Sequence, residues 1–284
     1  MGFAILNGEI IERSNAMVDV EDRGYQFGDG VYEVIRVYNG KMFTVEEHLN
    51  RFERSSKNIG ITLPFAKEQV KEQLENLIKK NNLQLGIIYM QVTRGTAPRN
   101  HTFPSGDVKP TVVAYTKELS RPTENMQTGV KTILVEDIRW LRCDIKSLNL
   151  LGNILAKQQA AEAGCFESIQ HRGEDVTEGS SSNIFIVKNG VIHTHPSNNL
   201  ILKGITKDVI LDLCSKNGIA VEERVFTKED LNNADEVFLS STTAEVMPIV
   251  KIDGRKVKNG SPETVTRRLQ ALFTEEIENQ CGKL

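Results

Sequence analysis

The chain has 284 residues, a formal net charge of -3, 39 % hydrophobic and 26 % charged residues, which excludes a disordered chain and gives no electrostatic reason to expect nucleic acid. Its length suits two domains with a sizeable core. No run approaches the roughly 20 apolar residues of a membrane span and no basic leader opens the chain, so a cytoplasmic location is expected; Cys143, Cys165, Cys214 and Cys281 lack Cys-x-x-Cys spacing, which indicates neither a zinc site nor a disulfide framework.

Three Asn-Gly pairs, Asn7-Gly8, Asn39-Gly40 and Asn189-Gly190, lie between apolar runs and predict type I′ hairpins. Thr44-Val-Glu-Glu47 reads as a capping box, followed by Leu49, Phe52 and Ile59 at helical spacing, with Arg51 off that face. A second helix is signalled after Pro64 by Val70, Leu74, Leu77 and Ile78, and strands are expected at 87–93 and 111–116. The polar, proline-containing stretch 117–124 suits an interdomain linker, which places one domain at 1–118, a linker at 119–123 and a second domain at 124–284.

Beyond the linker, 130–136 is a strand candidate and 150–163 a helix closed by Gly164. Strands follow at 167–171, 183–187, 191–195, 220–225, 236–240 and 246–252. A helix opens at Gly204-Ile205-Thr206 and stops at Gly218, and a last one starts after Pro262. There is no internal repeat. His193 and His195 share a strand face, but no third ligand is evident for a metal.

Lys146 sits in WLRCDIKSLNLL (140–151), between a strand-like and a helix-like run, where it could serve as a nucleophile. Taken alone it is an ordinary surface lysine, Glu178 in Val176-Thr-Glu-Gly179 a turn acid, Arg51 a solvated helix charge, and Arg99 and His101 exposed loop residues. The helix opening at Ile205 and Thr206 offers unpaired amides and a dipole that favour an anion. Arg51 offers a bidentate guanidinium, and Thr242 a hydroxyl and an amide.

Together with GYQFGDGVY (24–32), RGTAPRNH (94–101), VTEGSSSN (176–183) and SSTT (240–243), the Lys146 segment resembles the fold-type IV, pyridoxal-phosphate-dependent aminotransferases, in particular those acting on D-amino acids. The resemblance spans essentially the whole chain. It implies a two-domain α/β (α+β) fold with mixed, largely antiparallel sheets and pyridoxal 5'-phosphate between the domains. In that family the lysine at the Lys146 position forms the Schiff base with the coenzyme and then shuttles the substrate's α-proton. Both tasks need a neutral amine, so its pKa must fall below the roughly 10.4 of free lysine. The resemblance gives Glu178 the pyridine nitrogen, Arg51, Ile205, Thr206 and Thr242 the phosphate, and Ser181, Ser182 and Ser241 supporting roles nearby. Tyr32, Arg99 and His101 would trap the substrate carboxylate, with Arg99 and His101 reaching the other subunit of a homodimer. The implied reaction is ping-pong transamination between D-amino acids and 2-oxo acids. Branched-chain L-amino acid aminotransferases would share Lys146, Glu178 and the phosphate ligands, and aminodeoxychorismate lyases are a second alternative; both are expected to lack the Arg-x-His pair. A coenzyme-binding protein without turnover would need neither that pair nor a proton acceptor.

Overall fold

Each Asn-Gly pair closes a hairpin in the computed structural model, which describes residues 2–284. All six residues have positive φ, from 50° at Asn39 and Asn189 to 90° at Gly8, as a type I′ turn requires.

The chain forms two units. The first takes the chain up to Ser120, Ile145–Asn149 and Ile277–Leu284. It holds β1 (Phe3–Leu6), β2 (Glu9–Glu12), α1 (Arg23–Phe27), β3 (Gly30–Tyr38), β4 (Lys41–Met42), α2 (Val45–Asn58), α3 (Lys67–Lys80), β5 (Gly86–Thr93) and β6 (Thr111–Glu118). The strands form one antiparallel sheet in the order β2-β1-β6-β5-β3-β4. One face packs Val31, Ile35, Ile88 and Met90 with Leu49 and Phe52 of α2 and Leu74, Leu77 and Ile78 of α3, so the apolar period of both helices is satisfied by the sheet.

The second unit, Arg121–Asp144 and Leu150–Glu276, contains α4 (Thr123–Thr128), β7 (Val130–Glu136), α5 (Leu151–Glu162), β8 (Glu167–Arg172), β9 (Asp175–Gly179), β10 (Asn183–Lys188) and β11 (Val191–Thr194). It continues with α6 (Ile205–Lys216), β12 (Val221–Glu223), β13 (Phe226–Thr227), α7 (Lys228–Asn232), β14 (Glu236–Ser241), β15 (Glu245–Ile252) and β16 (Arg255–Lys256). Helix α8 (Thr264–Cys281) begins in this unit. Its sheet runs β12-β11-β10-β14-β15-β7-β8-β9-β13, with β16 on β15. The pairs β11–β12, β15–β7 and β7–β8 are parallel and the rest antiparallel, giving the mixed, largely antiparallel α/β architecture. Met126, Ile169, Ile186, Phe226, Leu239 and Met247 belong to its hydrophobic core.

Several local expectations are corrected. The sequence reading puts Lys146 in the second domain, yet 145–149 packs with the first unit, because Tyr32 N–H donates to Lys146 O (3.0 Å) and Leu148 N–H to Gly30 O (2.9 Å). The capping box at Thr44 does not form: its φ is 51°, and its hydroxyl donates to Phe43 O. Arg51 is on the buried face of α2, not off it, because a carboxylate on β3 receives it. The expected strand at 220–225 is only Val221–Glu223, followed by a separate β13. Among the described residues, no helix is long and apolar enough to cross a membrane, and the four cysteines are free.

Candidate active site

Lys146 owes its position to β3. The 145–149 segment lies along the start of that strand through the two bonds above and a bridge between Val31 and Ser147. Strand alternation then puts Tyr32 on the face opposite Val31 and Glu33. The half-buried Lys146 Nζ stands 3.3 Å from the Tyr32 hydroxyl and 4.4 Å from the ring centroid. Tyr32 is stacked in turn on Tyr89 (5.7 Å) and Tyr89 on Tyr115 (5.1 Å), which limits how far the ring can swing.

On the other face of β3, Glu33 is fully buried and accepts from Arg51 Nε (2.6 Å), Arg51 NH2 (2.9 Å) and His48 Nδ1 (2.7 Å). Burial alone would raise the Glu33 carboxyl; the Arg51 charge and hydrogen bonds, with those of His48, outweigh it and hold it well below the usual range. Burial lowers His48, further helped by the Arg51 and Lys146 charges, against the pull of Glu33. Arg51 is thus a preoriented cation with a bidentate partner.

In the second unit Glu178, near the end of β9, accepts from Arg139 NH1 (2.5 Å), Asn183 Nδ2 (3.1 Å) and Leu202 N–H (3.1 Å to each oxygen). Arg139 is itself gripped by Asp137 through Nε and NH2, both at 2.8 Å, and Asp137 also accepts from Arg172 (3.1 Å) and Thr177 (3.0 Å). Burial raises Glu178 to about 7 despite the lowering pull of Arg139. Asp137 goes the other way: burial is overcome by Arg139 and Arg172, and its carboxyl falls to about 2. Two carboxyls that share Arg139 are therefore driven in opposite directions by their environments.

Asn183 ties Glu178 to the helix that follows. Its Nδ2 also donates to Leu202 O (2.9 Å), and a Cβ at Gly204 would sit 2.1 Å from its Oδ1, so a larger residue there would displace the Asn183 amide. Gly204 is the N-cap of α6 and supplies no side-chain cap, leaving the first-turn amides at buried Ile205 and Thr206 available to an anion. Ser241 ends β14 and its hydroxyl accepts from Ala244 N–H (3.1 Å), which closes the turn that carries Thr242. Ser181 and Ser182 donate to Glu167 Oε2, at 2.8 and 3.3 Å.

Arg99 and His101 are exposed and flank Phe27, the guanidinium 4.4 Å from its centroid and the imidazole ring 5.8 Å away. Their loop is anchored at its start, where Asp29 accepts from Arg94 (2.8 and 2.9 Å) and Arg23 (2.8 Å), and Arg23 NH1 donates to Asn100 O (2.6 Å). Among the described residues no hydrogen bond joins Arg99 or His101 to Tyr32.

Sequence reasoning missed Glu33, His48, Asp137, Arg139, Asn183 and Glu167. A signal existed for two of these groups. Glu33 is an acid inside the apolar run Val31–Val37, and Asp137 and Arg139 are opposite charges two residues apart, on one side of extended chain.

Residues 30–252 match the amino-transferase class IV family. The chain is 54 % identical over 274 residues to a D-alanine aminotransferase of Staphylococcus aureus, covering 96 % of this chain and 97 % of that one. It is 51 % identical over 282 residues to the D-alanine aminotransferase of Listeria monocytogenes, covering 99 % and 98 %. Among solved structures it resembles a branched-chain amino acid aminotransferase from Escherichia coli at TM-score 0.87 and 30 % identity, covering 97 % and 95 %. It also resembles a branched-chain aminotransferase designated T.th., solved with pyridoxamine 5'-phosphate, at TM-score 0.91 and 27 % identity, covering 98 % and 97 %. With most of its length in the family match and more than half its residues shared with these relatives, the chain belongs to the class IV aminotransferases.

Proposed function

We propose that this enzyme transfers the amino group of D-amino acids to 2-oxo acids with pyridoxal 5'-phosphate, taking D-alanine and 2-oxoglutarate to pyruvate and D-glutamate. The observation that carries the reading is Lys146: a half-buried amine 3.3 Å from the Tyr32 hydroxyl, on a segment pinned by main-chain bonds to β3. The identity of 51–54 % to D-alanine aminotransferases favours D-amino acids, against 27–30 % to the branched-chain enzymes above.

The residues present fit the cofactor. The uncapped amides of α6 at Ile205 and Thr206, the Thr242 turn and the Arg51 guanidinium are donors of the kind a phosphate dianion needs. Glu178 is a buried carboxylate whose proton affinity is high enough to share a proton with a pyridine nitrogen. When bound, the cofactor supplies an electron sink for the Cα–H bond that breaks. Lys146 would hold the cofactor through its amine and, once released, take the proton from the substrate's Cα and give it up to the cofactor rather than back to the substrate. The Tyr32 hydroxyl steadies that amine. Ser181, Ser182 and Ser241 would support the ligands from the turns described.

Arg99 and His101 would bind the substrate carboxylate, a cation and a donor matching an anion. We assign them to the site of a partner subunit, which makes the active form a homodimer. We place the enzyme in the cytoplasm.

The test is product analysis by chiral chromatography after incubation with pyridoxal phosphate, D-alanine and 2-oxoglutarate. Pyruvate and D-glutamate in equal amounts, absent with Lys146→Ala, are expected. L-glutamate formed from L-leucine, with no turnover of D-alanine, would overturn the reading in favour of a branched-chain enzyme.

A further inference from the structure

The turn that joins Glu178 to Asn183 is built around one buried acid that lies outside the ligand set above. Glu167, the first residue of β8, is 1 % exposed. Its Oε1 accepts from the Ser180 hydroxyl and from Ser168 N–H (2.9 Å), and its Oε2 from the hydroxyls of Ser181 (2.8 Å) and Ser182 (3.3 Å). Three consecutive hydroxyls thus converge on one carboxylate.

Further hydrogen bonds fix the same turn. Gly179 N–H donates to Ser182 O (2.7 Å), Gln170 Nε2 to Gly179 O (3.1 Å) and Asn153 Nδ2 to Ser180 O (2.8 Å). A Cβ at Gly179 would lie 2.1 Å from Ser182 Oγ. Immediately before the turn is Glu178 and immediately after it Asn183, whose amide donates to Glu178 Oε2. The conformation of 179–182 therefore sets the spacing of those two side chains.

We propose that Glu167 is a positioning residue of the reaction: by drawing the Ser180, Ser181 and Ser182 hydroxyls onto one carboxylate, it holds Glu178 and Asn183 in working register. A chemical corollary concerns the serines. Each hydroxyl has one proton, and that proton is committed to Glu167. Ser181 and Ser182 can offer a ligand lone pairs and not a donor, so they do not bind phosphate directly. The inference rests on the proposed role of Glu178, and its first readout is independent of the cofactor.

The experiment uses Glu167→Gln, which keeps shape and replaces one of the two accepting oxygens by an amide donor. In apoprotein, amide hydrogen exchange at Leu202 reports whether Glu178 still accepts from that N–H. With added pyridoxal phosphate, kcat and KM for D-alanine and the pH–rate profile report the reaction. We expect a cooperative folding transition, faster exchange at Leu202, kcat lower by about 10- to 100-fold with KM nearly unchanged, and a displaced pH profile, since a displacement of about 1 Å can cost that much rate. If Glu167→Gln does not fold, the double variant Ser181→Ala, Ser182→Ala is measured the same way and should show the same pattern with smaller changes. Wild-type exchange at Leu202 together with wild-type kcat would overturn the proposal, as would lower thermal stability with both readouts unmoved. Should wild-type protein fail to turn over D-alanine, the function proposed above falls, while the Leu202 result still decides whether Glu167 positions Glu178.

Discussion

Replacing Arg139 by Met should make the Glu178 carboxyl harder to ionise, and the structure sets the size of the change. The side chains of Arg139 and Glu178 are 5 % and 6 % exposed, so solvent screens the pair little. The variant removes one charged hydrogen bond and leaves the Asn183 and Leu202 donors in place. A hydrogen bond to a charged group contributes about 1.5–3 kcal/mol. At about 1.4 kcal/mol per pH unit, the titration midpoint moves alkaline by about one to two pH units from the wild-type value of about 7. The Asp137 charge, no longer offset by Arg139, acts in the same direction. The assay is a pH titration of 13C-carboxyl-labelled glutamates in apoprotein, with Glu178 assigned by its loss in Glu178→Gln. With Glu178 neutral, the variant should also lose turnover near pH 7. A midpoint in Arg139→Met that stays put or moves acid would refute the electrostatic reasoning.

The same carboxyl should shape stability. Its folded pKa is raised from 4.5 to about 7, so its stabilising contribution is full below the unfolded value and is lost as pH rises through the folded one. The loss amounts to about 3 kcal/mol in apoprotein, and urea titrations at pH 5 and pH 8 should show it shrinking in Glu178→Gln. Glu33→Gln leaves Arg51 and His48 buried without their carboxylate and should destabilise the apoprotein by about 3–5 kcal/mol in chemical denaturation; a loss below about 1 kcal/mol would contradict the pairing. Tyr32→Phe removes the hydroxyl beside Lys146 and should lower kcat/KM for D-alanine by about tenfold, the size of one hydrogen bond, with folding stability little altered.

The parts of the fold set by short-range rules could be read in the sequence. Asn-Gly turns demand positive φ at both residues, and the apolar period of α3 needs one buried face, so both features follow from local sequence. What could not be read depends on partners distant in sequence. Arg51 looks like a solvated charge beside Leu49 and Phe52 until Glu33, 18 residues away, is found facing it. Lys146 follows a segment of the second unit, and only its pairing with Gly30 and Tyr32 of β3 moves it to the first. Thr44 has the composition of a cap but not the backbone, because its φ of 51° is taken up by the turn after β4. The candidate residues themselves are legible only through the family resemblance. The residues that hold them, Asp137, Arg139, Asn183 and Glu167, belong to a buried polar network that periodicity does not reveal.

The most direct test of the central claim is the visible absorption spectrum of the protein reconstituted with pyridoxal phosphate, beside Lys146→Ala, before and after adding D-alanine or, separately, L-leucine. The expected result is a yellow band that depends on Lys146, is bleached by D-alanine and is initially unmoved by L-leucine. A band that responds to L-leucine alone, or no Lys146-dependent band at all, would contradict it.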